Sequence, residues 1–140
     1  MRKALVVLFA AVVLPFVTVP AFAHHAFAAE FDAAKPVKFK GTVTKMEWIN
    51  PHAWIHIDVK GEDGKVTPWM IEAAAPNALL RRGWTKASLP AGTEIMVEGY
   101  QAKDGTNRAN GSIITFTDGK KLFVGSSAGD PGAAPGTTFK

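Results

Sequence analysis

The chain has 140 residues, 47% of them hydrophobic, and its 16 Lys and Arg outweigh 12 Asp and Glu for a formal net charge of +4. Such a length and composition suit one globular domain around one core and exclude a disordered charged tail. There is no Cys, which excludes a disulfide scaffold, a Cys-ligated zinc site, a Cys nucleophile and a lipidated Cys together. Hard chemistry is left to four His, 12 carboxylates and four Met.

Residues 1–23 read as a secretory signal peptide. Arg2 and Lys3 give a positive start, an apolar run follows, and Ala21-Phe22-Ala23 supplies the small-x-small cleavage pattern. Cleavage after Ala23 predicts a periplasmic or secreted protein with no stable membrane anchor. The mature chain of 117 residues then carries 14 basic and 12 acidic residues, a formal +2, which argues against nucleic acid as a partner. A second small-x-small pattern at Ala26-Phe27-Ala28 offers an alternative cleavage point that would discard both leading histidines.

In the mature chain, residues 24–36 form a polar amino-terminal lead-in to a single domain over 24–125. Residues 37–49 alternate apolar and polar side chains as a half-buried strand does, with Gly41 marking a bend or bulge, after which the phase reverses. Asn50-Pro51 turns the chain. A second strand over 53–59 sets Ile55, Ile57 and Val59 against Trp54, His56 and Asp58, and a turn at Asp63-Gly64 leads to a third over 67–74. Residues 76–82 read as a short helix, opened by Pro76 and closed by Gly83, whose Leu79 and Leu80 pack inward. Strands over 93–100 and 112–117 follow, and Asp118-Gly119 opens a last hairpin with 122–124. From residue 126 to 140, Gly, Ala, Pro, Ser and Thr dominate, which predicts a flexible tail.

Five to six strands with one short helix after the third predict an all-β fold, an OB-like Greek-key barrel. An immunoglobulin-like β-sandwich is the alternative, although it has no reserved place for the helix. If Ile and Val point inward, alternation gathers Trp48, Trp54, His56, Met70, Glu72, Met96 and Glu98 on the outside of the first four strands. In this barrel the face of strands two and three is where ligands bind, so that set is the candidate binding face. The competing reading is a second small core beneath the lead-in or the tail.

Cleavage after Ala23 would leave His24-His25 at a free amino terminus, and an α-amine beside an imidazole is a bidentate nitrogen chelator suited to Cu(II). His52 and His56 lie about 13 Å apart along one strand at about 3.3 Å per residue, so they cannot share a metal directly. The copper hypothesis combines His24 and His25 with His52 or His56, and takes Met70, Glu72 and Met96 as further candidate ligands. His56 is expected to meet Glu72 or Met70 across the hairpin, and His52 to bond nearby backbone as a turn residue. The alternative is a non-metal module that holds a small ligand or a periplasmic partner protein on Trp48, Trp54 and Glu98. Catalytic patterns are lacking. No Gly-x-Ser-x-Gly elbow presents Ser88 or Ser112, and no phosphate-binding glycine loop opens a helix, so no catalytic residue is assigned and an enzyme is not expected.

Three stretches resemble a family of short exported bacterial proteins of unknown function. They are His24-His25-Ala26-Phe27-Ala28-Ala29-Glu30-Phe31-Asp32, Lys40-Gly41-Thr42-Val43, and Glu47-Trp48-Ile49-Asn50-Pro51-His52-Ala53-Trp54. Trp69-Met70-Ile71-Glu72, Leu80-Arg81-Arg82-Gly83-Trp84 and the run from Gly92-Thr93 to Gly99 fit as well. The resemblance covers nearly all of the mature chain. It implies export, one small β-barrel domain and an ordered lead-in around Phe31-Asp32, and it implies no activity.

Overall fold

Alternation sets the walls of the fold. In the computed structural model, which describes residues 27–125, strand β2 (Trp54–Lys60) buries Ile55 and Ile57 and leaves Trp54 and His56 half-buried on the other side. Strand β3 (Val66–Glu72) runs back antiparallel to β2, pairing Ile55 with Ile71 and His56 with Met70. Before them, β1 (Phe31–Glu47) pairs with β2 at one end and with β4 (Glu94–Ala102) along the other. Strand β5 (Arg108–Phe116) pairs antiparallel with β4 and, through Met70–Arg108, Ile71–Ala109 and Glu72–Asn110, parallel with β3. That last contact closes one sheet into a ring in the order β1, β2, β3, β5, β4. It is the strand order of the OB-like barrel, and a two-layer sandwich is set aside. A short β6 (Lys121–Phe123) lies outside β5.

The core fills the ring with Val43, Ile55, Ile57, Ile71, Ile95, Val97 and Ile114. Helix α1 (Phe27–Glu30) precedes β1, and α2 (Pro76–Arg81) lies between β3 and β4. The segment from α2 to β4 caps one end of the core with Leu79, Trp84 and Leu89. Trp84 is fully buried, its Nε1 donating to the Phe123 carbonyl at 3.0 Å.

Several expectations are corrected. Strand β1 starts at Phe31, six residues earlier than expected, so residues 31–36 of the lead-in already belong to it. The phase reversal in β1 arises from a register shift between Val43 and Lys45, not at Gly41. Gly41 serves close approach instead: a Cβ there would lie 2.7 Å from Ile57 Cδ1. Leu80 is 52% exposed, since only one of two adjacent leucines on a six-residue helix can face the core. Strand β5 starts at Arg108, four residues earlier than expected. The signal peptide, His24, His25 and the tail 126–140 lie outside the described residues.

Candidate functional site

Two rows of three cross-strand neighbours occupy the outer face of β2, β3 and β5. His56, Met70 and Arg108 form one row, and Trp54, Glu72 and Asn110 the next. Adjacent strands stand about 4.8 Å apart and residues two along a strand about 6.7 Å apart, so the six side chains lie side by side on one face, Glu72 and Asn110 buried among them. The loop 48–53 borders it on one side, carrying His52, and the loop 103–107 on the other, leading into Arg108.

His52 crosses from its loop to Glu72, where ring Nδ1 and carboxylate Oε1 share a hydrogen bond. Glu72 is only 5% exposed, and burial pushes its carboxyl above the ordinary 4.5, with Glu30 adding to the rise while His52 and Arg108 pull it back. The His52 ring thus reaches a strand carboxylate that the turn reading did not foresee, and Glu72 partners His52 while His56 stands opposite Met70.

Arg108 donates from Nη2 to Glu30 Oε2 at 3.1 Å, and its guanidinium carbon lies 5.8 Å from the centre of the Trp54 ring. Glu30 reaches it because α1 is pinned to the barrel. The Lys103 amide donates to the Glu30 carbonyl at 2.9 Å, and Phe27 sets its ring edgewise to Tyr100 at 5.4 Å. Beside the first row, His56 Nε2 lies 3.7 Å from Glu47 Oε1. The Glu47 carboxyl is held below its ordinary value, chiefly by its hydrogen bond with Lys45. Three buried polar atoms on this face, His56 Nε2, Arg108 Nε and Asn110 Oδ1, have no hydrogen-bond partner.

The family model described as "Family of unknown function (DUF6152)" matches residues 12–111. The chain belongs to the DUF6152 family. No curated relative and no solved structure matches it. The span shared with DUF6152 runs through β1 to β4 and into β5 as far as Gly111, so it takes in both rows of the face, His52 and the His24-His25 pair.

Not every residue expected on the face belongs to it in this DUF6152 chain. Trp48 is half-buried and packs against the core. Met96 and Glu98 stand on β4 opposite Lys40 and Lys38, whereas His56 is opposite Lys45. Lys40 and Lys45 are five steps apart along β1, which separates the two groups by about 16 Å. Glu98 there pairs with Lys38 at 3.3 Å, and Met96 lines a separate open groove of about 610 Å3 with Lys40, Lys60 and Thr115. Glu30, Arg108 and Asn110 were missed. Asn107 to Gly111 looks like a polar loop in sequence, and only a strand starting at Arg108 sets Arg108 and Asn110 outward around the buried Ala109.

Among the described residues, no group of three His, Cys, Asp or Glu is placed to hold a metal ion. The face offers nitrogen and oxygen donors in pairs, His52 with Glu72 and His56 with Glu47. Among the same residues, no helix is long and apolar enough to cross a membrane.

Proposed function

We propose that this protein is an exported small barrel that binds copper, with the amino-terminal His24 and His25 and the loop residue His52 as nitrogen ligands. The observation that carries the reading is the pair His52–Glu72. A metal-binding imidazole characteristically has its second ring nitrogen held by a carboxylate, which fixes the tautomer and aims the lone pair. With Nδ1 engaged by Glu72, Nε2 is the ligating nitrogen of His52. An all-nitrogen set of amine and imidazoles suits Cu(II) above the other divalent first-row metals.

Chain length supports the same assembly. Glu30 is fixed to Arg108 on the face, and His25 precedes Phe27, the first residue of α1, by two residues, a tether of about 7 Å at full extension. A cation near the His52 ring would also favour ionised Glu72, so copper uptake releases protons.

The test is a calorimetric and electron paramagnetic resonance titration of the exported protein beginning at His24. One Cu(II) is expected per chain, with affinity sharply weakened by one added residue ahead of His24 and by His52→Ala. Equal affinity in the extended variant would overturn the amino-terminal site.

A second reading, a non-metal ligand module on the same face, is favoured by the unpartnered Arg108 Nε and Asn110 Oδ1 beside Trp54. It requires Trp54→Ala to abolish capture of a ligand or periplasmic partner in a chain that still folds and still binds copper.

A further inference from the structure

We propose a separate soft-metal site on the first row of the face, where His56 Nε2 and the Met70 thioether bind one monovalent copper ion. His56 and Met70 are direct register partners on β2 and β3 and point to the same side of the sheet. Their Cβ atoms are therefore about 5 Å apart, within reach of a common ion.

His56 Nε2 is fully buried with no hydrogen-bond partner, an arrangement that is costly unless something else occupies the nitrogen. Met70 cannot relieve it through hydrogen bonding, because a thioether is only a weak acceptor. Imidazole and thioether together do suit Cu(I), since soft sulfur ligands select it over hard divalent ions.

The charges around the pair permit a cation. Lys45, opposite His56, is engaged by Glu47, and Arg108, opposite Met70, is engaged by Glu30. The Glu47 carboxylate that engages Lys45 also lies 3.7 Å from the same Nε2, so the two ion pairs leave the surroundings neutral overall with their negative end towards His56. His52 takes no part, because its ring is turned to Glu72 in the neighbouring row. The site therefore stands independently of the amino-terminal one.

The experiment uses Ag(I), a redox-inert stand-in for Cu(I), added to the exported protein carrying His24→Ala and His25→Ala, and is read by nuclear magnetic resonance. One Ag(I) is expected, shifting the Met70 methyl and the His56 imidazole nitrogens. Met70→Leu, a volume-conserving change that leaves the fold intact, should weaken binding at least tenfold, and His56→Gln likewise. Met96→Leu should leave it unchanged. Failure to bind Ag(I), or binding indifferent to Met70→Leu, overturns the site. Neither result touches the Cu(II) titration of the unmodified amino terminus, so the two proposals fail separately.

Discussion

His52 Nδ1 and Glu72 Oε1 are hydrogen-bonded across twenty residues of sequence, joining the loop before β2 to the last residue of β3. The acid partner is almost wholly enclosed, so its ionisation is linked to folding. Below pH 4.5 the Glu72 carboxyl is protonated in both folded and unfolded chains. As pH rises past 4.5 the unfolded chain ionises first, and the native state loses stability until pH passes the raised native value. Glu72→Gln removes that loss. In metal-free protein, urea midpoints of the variant should gain on the parent as pH rises from 4.5 and then level off; a constant difference would show that Glu72 is not perturbed.

Trp84 is the largest fully buried side chain, and Trp84→Ala should cost about 3–5 kcal/mol in urea unfolding. Trp84→Phe keeps most of the bulk but strips the Phe123 carbonyl of its donor, and should cost about 1–3 kcal/mol. If the two variants were equally stable, the hydrogen bond rather than the ring volume would govern the position.

A Cβ at Gly99 would lie 2.1 Å from the Asn110 carbonyl oxygen, at the register shift between β4 and β5. No rotamer relieves a clash with backbone, so Gly99→Ala should cost about 1–3 kcal/mol. Amide resonances of residues 108–110 should move with it, because β5 must back away from β4. Unmoved resonances would mean that the chain absorbs the change at Gly99 alone.

Arg108 is one-third exposed, and its ion pair with Glu30 is worth at most about 1 kcal/mol. Arg108→Met should therefore leave the melting temperature within a few degrees of the parent while raising hydrogen exchange at the Lys103 amide, whose acceptor is the Glu30 carbonyl. Unchanged exchange would place the anchoring of α1 on Phe27 and Tyr100 instead.

The barrel is readable where one wall alternates strictly. Ile55 and Ile57 against Trp54 and His56 identify β2 and both of its faces without help from distant residues. Reading failed where tertiary contact overrides local pattern. Phe31 to Pro36 is polar and carries a proline, yet it is strand because β4 offers it a pairing edge. Trp84 looks like a helix-end residue and proves to be core, because β5 sets the Phe116 ring 6.4 Å from it and β6 supplies its acceptor. The His52–Glu72 pair depends on the hairpin register, where Lys60 opposes Val66 around a five-residue connection. A shift of one residue there would turn Glu72 to the opposite face.

The parallel contact of β3 with β5 spans three residue pairs and joins segments almost forty positions apart. Contacts so distant in sequence bear the loop-closure entropy before they are rewarded, which makes them late events in folding. The β2–β3 hairpin can set His56 beside Met70 early, but Arg108 and Asn110 join them only when the ring shuts. A full complement of six neighbours is therefore a signature of the finished fold, and a chain trapped short of closure would present only four of them.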